Sequence, residues 1–402
     1  MISSEYTRDL CSRDSDAKIL LLVVDGLGGL PHLDTGKSEL ETARLPHLDA
    51  LAKGGTCGLI SPLGAGFTPG SGPAHLALFG YDPFKSEIGR GALSALGLGL
   101  DFARSDVAAR LNFCTVDSEG LVQDRRAGRI PTEKGRELCQ ILQGVQVPGA
   151  EVTVAAEMEY RAGVVFRGEG LGDQVSDTDP QVTGVSPKPL SAADASSERT
   201  VEVANAFLDQ AAELLAEESP ANMVLMRGFG RYPELAQMDE VYGLKSLGIA
   251  GYPMYRGVAG AVGMDVVEVG WDLDSECALL EERYDDYDFF YMHVKKTDSA
   301  GEDGNFDLKV QLLEELDAYI PRLQALKPEV LIVTGDHSTP AIMCSHSWHP
   351  VPTAIAGQWA LADTASEFSE RGCGAGSLGV IPSASLMSLA LAHARRLDKF
   401  GA

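Results

Sequence analysis

The chain has 402 residues, of which 45% are hydrophobic and 23% charged, and its formal net charge is −25. This length exceeds one ordinary hydrophobic core, so two domains are expected. The acidic balance argues against a nucleic-acid-binding protein, and no apolar run approaches the length of a membrane span. A small anionic substrate would be repelled at long range, so it would need locally concentrated basic residues.

The termini and cysteines point to a cytoplasmic protein. The first 16 residues are polar and lack the apolar core of a signal peptide. The chain has seven cysteines, an odd number, without CxxC pairs. We therefore expect reduced thiols and cytoplasmic localisation.

The first part of the chain predicts alternating strands and helices. A continuous apolar run over 18–24 is typical of a strand buried on both faces of a parallel sheet. A helix over 46–53 and a short strand over 58–60 follow, and this alternation indicates a doubly wound sheet. Asp25 directly follows the first strand, at the sheet edge where such folds place active sites.

The stretch 68–83 begins with a tight turn and continues as an apolar helix. Pro69 and Gly70 suit the second and third turn positions, and Pro73 suits the first helical turn. Ser71 therefore lies at or just before a helix N-terminus, where free amides and the helix dipole favour a phosphate. We predict that Ser71 is a nucleophile that becomes phosphorylated; the alternative is a plain turn with an N-capping serine.

The middle of the chain predicts a separate α+β domain. A helix is expected near 202–217, and a polar stretch covers 173–199; strands are expected over 107–115, 151–155, 160–166 and 222–226. The strand over 107–115 alternates apolar and polar residues, as a half-buried strand would. The predicted inserted domain covers 91–240, between 1–90 and 241–402, with hinges near Gly89–Gly91 and Tyr232–Gly243.

The last part of the chain returns to the α/β pattern. Strands are predicted over 244–250, 266–269, 288–294, 329–333 and 353–356. Helices are predicted over 253–263, 308–323 and 383–396.

Potential metal ligands follow three of the predicted strands. They are Asp25, then Asp298 with Glu302, then Asp336 and His337 with His346 shortly after. Carboxylates and imidazoles together suit Mn²⁺, Zn²⁺ or Mg²⁺. All three strands should end at the same sheet edge, with enough ligands for two ions beside Ser71. Taken singly, each residue has an ordinary alternative, such as a helix cap, a turn or a surface histidine.

Several motifs carry a resemblance to a known family. They are Val-Asp-Gly-Leu-Gly at 24–28, Pro-Gly-Ser at 69–71, Ala-His-Leu-Ala-Leu-Phe-Gly-Tyr-Asp-Pro at 74–83, Asp-Arg-Arg-Ala-Gly-Arg at 124–129, Gly-Asp-His-Ser-Thr-Pro at 335–340 and His-Ser-Trp-His-Pro-Val-Pro at 346–352. Over nearly its whole length the chain resembles cofactor-independent phosphoglycerate mutases of the archaeal type, in the alkaline phosphatase superfamily. The resemblance implies an α/β fold, an alkaline phosphatase-like doubly wound and mostly parallel sheet with an inserted smaller α+β domain.

The resemblance also implies the activity and the ligand sets. The activity is interconversion of 3-phosphoglycerate and 2-phosphoglycerate in glycolysis and gluconeogenesis, without a 2,3-bisphosphoglycerate cofactor. One divalent ion would be held by Asp25, Ser71, Asp336 and His337, and the other by Asp298, His346 and a third ligand. The family usually has histidine at that third position, where this chain has Glu302. An oxygen ligand there favours Mn²⁺ or Mg²⁺, with Zn²⁺ or Co²⁺ as alternatives.

Two alternatives concern the second ion. The Glu302 position could mark a damaged site with weak or altered activity. His349 could substitute as a ligand, because spacing alone does not separate it from His346.

The substrate residues are likewise implied by the resemblance. The glycerate would be held by Asp124, Arg125, Arg227 and Arg231, and Asp124 would move protons. Arg256 lies where related chains tend to carry lysine near the phosphoryl group. Asp177 and Asp179 are expected to be turn residues.

The implied mechanism is attack by Ser71 on a small anionic phosphorylated substrate, while the inserted domain closes and excludes water. The alternatives are a related phosphotransferase such as a homoserine kinase, a metal-dependent phosphohydrolase, or a non-catalytic binding protein. A homo-oligomer is possible, and no nucleic-acid or membrane partner is expected.

Overall fold

The computed structural model of the protein describes residues 4–12, 15–86 and 88–401. The chain groups into two compact units. The first unit comprises Met1–Glu87, Ala236–Tyr255 and Val262–Ala402, and the second comprises Ile88–Leu235 and Arg256–Ala261. The sequence-based division at 90 and 240 stays a prediction; it differs from this grouping chiefly at Arg256–Ala261.

The strands, in chain order, are β1 Ile19–Val24, β2 Thr56–Ser61, β3 Val107–Val116, β4 Val122–Asp124, β5 Glu151–Met158, β6 Arg161–Arg167, β7 Met223–Arg231, β8 Ser246–Ala250, β9 Asp265–Val266, β10 Phe289–Val294, β11 Val330–Thr334, β12 Val351–Gly357 and β13 Gly379–Pro382.

The α-helices are α1 Ser4–Leu10, α2 Glu39–Thr42, α3 Pro46–Gly54, α4 Ser71–Leu78, α5 Arg90–Gly97, α6 Thr132–Leu142, α7 Glu198–Leu215, α8 Met238–Tyr242, α9 Pro253–Ala261, α10 Leu273–Arg283, α11 Lys296–Glu302, α12 Phe306–Asp317, α13 Ile320–Ala325, α14 Glu370–Gly374 and α15 Leu386–His393. Across the described ranges, no helix combines the length and apolar character that a membrane crossing requires.

The first unit is built on an eight-stranded sheet in the order β13-β2-β12-β11-β1-β10-β8-β9. Neighbouring strands are parallel except at β12, which runs antiparallel to both β11 and β2. Each residue of β1 is buried, as the continuous apolar run predicted. The predicted mostly parallel α/β sheet is confirmed.

Two helix predictions in the first unit need correction. The expected helix over 308–323 is divided into α12 and α13, because Pro321 lies in the first turn of α13 and cannot donate an N–H to a continuing helix. Helix α11 was not predicted at all. Its seven residues are too few to show a clear helical period.

The second unit contains a five-stranded antiparallel sheet, in the order β4-β3-β6-β5 with β7 on the other side of β3. The expectation that β3 is half-buried is wrong. Val107, Leu111 and Phe113 pack into a large core with residues of α6 and α7. Ala108, on the other face, packs against residues of α5. Both faces of the strand are therefore covered, and its polar side chains do not mark a solvent face.

The glycines near residue 90 serve close packing. Helix α5 begins at Arg90, where a flexible link was expected. A Cβ on Gly91 would lie 2.4 Å from the carbonyl oxygen of Ala108, so only glycine lets α5 approach β3 this closely. The hinge near Gly89–Gly91 stays a prediction.

Candidate active site

Three adjacent parallel strands of the first unit carry the acidic residues to one edge. Strands β11, β1 and β10 are neighbours, and the pairs Val23–Thr334 and Val24–Val294 align their carboxyl ends. Asp25 follows β1 directly, Asp336 lies in the turn after β11, and Asp298 lies in α11 after β10. The expectation that these ends share one edge is confirmed.

The first group of potential ligands consists of Asp25, Asp336 and His337. Their ligand atoms lie within 4.8 Å of one another, and all three residues are buried. The Nε2 atom of His337 is 3.4 Å from Oδ1 of Asp25 and 3.1 Å from Oδ2 of Asp336. Burial, reinforced by the charges of Asp25 and Asp298, raises the pKa of Asp336 well above its usual range.

The second group consists of Asp298, His337 and His346. The Nε2 atom of His346 is 3.5 Å from Oδ1 of Asp298, and its Nδ1 donates to the carbonyl of Pro69 at 2.9 Å. The two imidazole rings stack with centroids 3.7 Å apart. His337 is therefore near enough to both groups to take part in either, although one imidazole nitrogen binds one ion at a time.

Ser71 is the first residue of α4 and lies beside the shared imidazole. Its Oγ is 3.3 Å from Nε2 of His337. Because α4 begins here, the amides of Ser71 and Gly72 have no acceptor within the helix, and the N-terminal end of the helix dipole favours an anion. The helix thus provides a hydroxyl and free amides next to the ligand groups.

Glu302 and His349 differ in their placement. Oε1 of Glu302 is 3.6 Å from Nε2 of His346, and the Glu302 side chain is 53% exposed. Nδ1 of His349 pairs with Oγ of Ser347, and its ring stacks on Trp348. In the described ranges neither residue belongs to the two ligand groups, but Glu302 borders the second one.

The residues of both groups fit divalent cations. Oδ1 of Asp25 and Oδ2 of Asp336 are buried and have no hydrogen-bond partner within the described structure. Buried carboxylate oxygens without donors are costly unless a cation binds them. Carboxylate oxygens combined with imidazole nitrogens suit Mn²⁺, Zn²⁺ or Mg²⁺.

Lys295 is a site residue that the sequence analysis missed. Its Nζ lies 3.0 Å from Oδ2 of Asp25 and also contacts Oδ2 of Asp298. Burial alone would lower the pKa of Lys295, but the two carboxylates raise it above its ordinary value. Its position directly after the buried strand β10, at the sheet edge that carries the potential ligands, could have identified it from the sequence.

A layer of buried aromatic residues supports the ligands from below. The hydroxyl of Tyr255 donates to Oδ2 of Asp25, and the ring of Tyr255 stacks on His293 at 3.6 Å. Nδ1 of His75 donates to the carbonyl of Ser71 at 2.8 Å and lies 3.4 Å from Oδ2 of Asp336. Burial lowers the pKa of His75 to about 3, so this imidazole is neutral. His75 is part of the 74–83 motif, but the spacing of the motif predicted no role for its side chain.

The second unit brings together two of the predicted substrate residues. The guanidinium of Arg125 forms two 2.7 Å hydrogen bonds with the carboxylate of Asp179. Nη1 of Arg227 lies 3.4 Å from the same carboxylate, and its Nε lies 3.8 Å from Asp177. The expected turn roles of these aspartates are incomplete. Asp179 does accept the amide of Gln181, but it also holds both arginines.

The other predicted substrate residues have separate partners. Asp124 accepts the amides of Arg126 and Gly128 at 2.8 and 2.7 Å, which supports a left-handed turn. Arg231 donates to the carbonyl of Leu171 and lines a surface cavity with Arg104 and Arg167. Arg256 is 7% exposed, and its Nε donates to the carbonyl of Gly97 at 3.1 Å.

Comparison with known proteins identifies the family. The family model described as 2,3-bisphosphoglycerate-independent phosphoglycerate mutase matches residues 52–222. A probable 2,3-bisphosphoglycerate-independent phosphoglycerate mutase of Thermus thermophilus is 50% identical, over 97% of this chain and 98% of the relative. The chain belongs to the 2,3-bisphosphoglycerate-independent phosphoglycerate mutase family. The resemblance inferred from its motifs is confirmed.

Solved structures support this placement in the mutase family. The PH0037 protein from Pyrococcus horikoshii has 30% identity and a TM-score of 0.82, with 96% of this chain and 99% of that chain covered. The cofactor-independent phosphoglycerate mutase from Thermoplasma acidophilum has 29% identity and a TM-score of 0.71, with 94% and 100% covered. The family likeness therefore extends through both units.

Proposed function

We propose that this protein interconverts 3-phosphoglycerate and 2-phosphoglycerate through a phosphoserine at Ser71. The observation that carries the proposal is the 3.3 Å separation of Ser71 Oγ from His337 Nε2, since His337 belongs to both ligand groups. A nucleophilic oxygen beside two cation sites is an arrangement suited to phosphoryl transfer. Membership of the mutase family supports the choice of substrate.

Ser71 forms a bond to phosphorus as the bond from phosphorus to the glycerate oxygen breaks. In the second half-reaction the other glycerate hydroxyl attacks phosphorus and releases Ser71. The free amides at the start of α4 orient the phosphoryl oxygens. When bound, two divalent ions would neutralise phosphoryl charge and lower the pKa of the serine hydroxyl.

We propose that Asp25, Asp336 and His337 hold one ion and that Asp298 and His346 hold the other, with Glu302 beside them. Glu302 adds an oxygen next to His346, which supports Mn²⁺ or Mg²⁺ over Zn²⁺ or Co²⁺. The reaction is proposed to proceed without added 2,3-bisphosphoglycerate, because Ser71 itself carries the phosphoryl group between the two hydroxyls.

Arg125 and Arg227 are the proposed glycerate-binding residues of the second unit. Their guanidinium groups suit a carboxylate, and the shared Asp179 holds both in place before the substrate binds. Asp124 as a proton carrier, Arg231 as a substrate contact and Arg256 as a phosphoryl contact stay predictions. Cytoplasmic localisation and a possible homo-oligomer also stay predictions.

One assay panel tests this function. The purified protein is incubated with 3-phosphoglycerate and Mg²⁺, Mn²⁺, Co²⁺ or Zn²⁺, and both 2-phosphoglycerate and free phosphate are measured. A parallel arm supplies ATP and homoserine. We expect 2-phosphoglycerate to exceed free phosphate strongly, and Ser71→Ala to be inactive. Free phosphate as the main product would indicate a phosphohydrolase, and phosphorylated homoserine would indicate a kinase.

A further inference from the structure

Helix α12 places a lysine in the interior of the first unit. Lys309 is fully buried, and its Nζ donates to three backbone carbonyls: Gly26 at 2.9 Å, Gly28 at 3.1 Å and Thr339 at 2.9 Å. All three N–H donors of the ammonium group are therefore used. Oε1 of Glu39 lies 3.7 Å from the same nitrogen and supplies the nearest negative charge.

These three carbonyls belong to the two loops that follow β1 and β11. Gly26 is next to Asp25, and its amide donates to Oδ1 of Asp336 at 3.1 Å. The amide of Thr339 donates to the carbonyl of Gly28 at 3.0 Å. Lys309 therefore bridges the loop carrying Asp25 and the loop carrying Asp336 at a point where they already contact each other.

Thr339 extends this connection to the second ligand group. Its Oγ1 donates to Oδ1 of Asp298 at 2.7 Å and lies 3.0 Å from Nδ1 of His337. Lys309 thus holds the backbone of Thr339, and the side chain of Thr339 orients Asp298 and His337. Partners of this kind fix the orientation of metal ligands without touching the ion.

Glu39 completes the arrangement through a third loop. Its Oε1 also accepts the amide of Ala341 at 2.8 Å, so the carboxylate ties the start of α2 to the chain beyond Thr339. A buried ammonium is costly unless it is paired and fully hydrogen-bonded. Lys309 meets both conditions, and its acceptors are backbone atoms of the ligand loops.

We propose that Lys309 is a positioning residue that holds the ligand loops in their metal-binding arrangement before an ion binds. The inference rests on the proposed function, because it assumes that divalent ions occupy the two ligand groups. Removing Lys309 frees the two loops to separate, so the ions must then order them on binding. Metal affinity should fall for that reason.

A purely electrostatic role predicts the opposite sign. Lys309 is a cation, and a nearby cation repels a divalent ion. If charge alone mattered, Lys309→Met would bind metal more tightly. If Lys309 positions the loops, the same variant binds metal more weakly despite the loss of repulsion.

The test measures Mn²⁺ binding to the full-length protein at equilibrium, by competition with a chelating dye, without substrate turnover. Arg396→Met is the matched control. Arg396 is also a buried cation that donates to a backbone carbonyl and pairs with an aspartate, but its partners are Ala17 and Asp288. We expect Lys309→Met to weaken Mn²⁺ binding about 10-fold or more, and Arg396→Met to leave it within about 2-fold. Unchanged or tighter binding in Lys309→Met would overturn the proposal.

Lys309→Arg keeps the test decisive if the methionine variant does not fold. Arginine retains the charge, but its planar fork does not match three carbonyls that converge on one nitrogen. Weaker Mn²⁺ binding in this variant supports positioning, and unchanged binding contradicts it. If the Lys309 variants bind Mn²⁺ as tightly as the unaltered protein, only the positioning role is contradicted and the proposed function is unaffected. An unaltered protein that binds no Mn²⁺ would overturn both the positioning role and the proposed function.

Discussion

The two clusters of proposed site residues are built in different ways. In the first unit, Asp25 and Asp336 follow adjacent parallel strands, so the backbone register brings their buried side chains together. In the second unit, Arg125 and Arg227 are only partly buried and meet through the carboxylate of Asp179. The first cluster depends on strand order and the second on ion pairs between distant segments.

The electrostatics of the two clusters differ as well. In the first unit, burial raises the pKa of Asp336. In the second unit, burial opposes ionisation of Asp179, but hydrogen bonds from Arg125 lower the pKa of this carboxyl. The first cluster thus contains a buried Asp336 oxygen that lacks a donor and suits a cation, whereas arginine already neutralises Asp179 in the second.

The largest expected effect follows from His337, which lies between the two ligand groups. His337→Ala should release the ion held with Asp25 and Asp336 and lower mutase activity about 10³-fold or more. Metal content after gel filtration and the rate of 2-phosphoglycerate formation check this together. His47→Ala, at an exposed histidine at the start of α3, is the control and should change neither quantity. A His337→Ala protein that retained two ions would show that this imidazole is not a ligand.

An arginine of the second unit should affect substrate binding without affecting metal. Arg227→Gln should raise KM for 3-phosphoglycerate about 10- to 100-fold, because a charge-assisted contact with the substrate is lost. Bound metal should stay the same. Steady-state kinetics and metal analysis of one preparation separate the two effects.

Arg199→Gln is the matched arginine control for that experiment. Arg199 is also an arginine of the second unit that pairs with a carboxylate, but its partners are Glu202 and the carbonyl of Pro148. We expect its KM to stay within about 3-fold of the unaltered protein. Equal KM increases in both variants would contradict a specific role of Arg227 in substrate binding.

Glu276 provides a pH test of the first unit. This buried residue of α10 accepts the amide of Gly251, and burial raises its pKa to about 8. Between pH 4.5 and 8 the folded protein holds this proton while the unfolded chain has lost it. The free energy of unfolding should therefore fall with rising pH, by at most about 1.4 kcal/mol per pH unit.

Glu276→Gln should remove that pH dependence. Urea unfolding at pH 5, 6, 7 and 8 checks the difference in slope between the variant and the unaltered protein. Asp179 does not contribute in this window. The pKa of Asp179 is lowered, so its stabilisation persists above its unfolded value and is lost only as pH falls below it. Parallel slopes for both proteins would mean that Glu276 is ionised in the folded state.

The smallest expected effect concerns Glu302, which lies beside the second group of potential ligands. Glu302→His replaces an oxygen near His346 by nitrogen, which should shift activity from Mn²⁺ or Mg²⁺ toward Co²⁺ or Zn²⁺ by several-fold. Relative rates across the four ions measure this shift. Glu329→His, at a glutamate just before β11 and outside both groups, is the control. An unchanged ion preference would place Glu302 outside the metal environment.

The sequence predicted the first cluster better than the second for a physical reason. Continuous apolar runs identify β1, β10 and β11, and the residue after such a strand lies at a predictable edge. The pairing of Arg125 with Asp179 joins residues 54 positions apart, and only the folded chain shows it. The same limit applies to Lys309, whose burial depends on carbonyls contributed by distant loops.

Local sequence patterns also gave wrong predictions where packing between distant segments determined the structure. The alternating side chains of β3 predicted one solvent face, but helices cover both. The glycines at 89 and 91 suggested flexibility, although Gly91 allows a close backbone contact. The residues of β12 do not indicate whether this strand runs parallel or antiparallel to its neighbours, because an apolar strand of this length suits either orientation.

The central claim is that Ser71 carries the phosphoryl group, and rapid acid quench followed by peptide mass spectrometry tests it most directly. The protein is mixed with Mn²⁺ and 3-phosphoglycerate labelled in its phosphate, and peptides are analysed over a series of quench times. We expect the label on Ser71, formed no later than 2-phosphoglycerate appears, and no labelled peptide in Ser71→Ala. Label confined to another residue, or 2-phosphoglycerate formed by Ser71→Ala at the unaltered rate, would contradict the account.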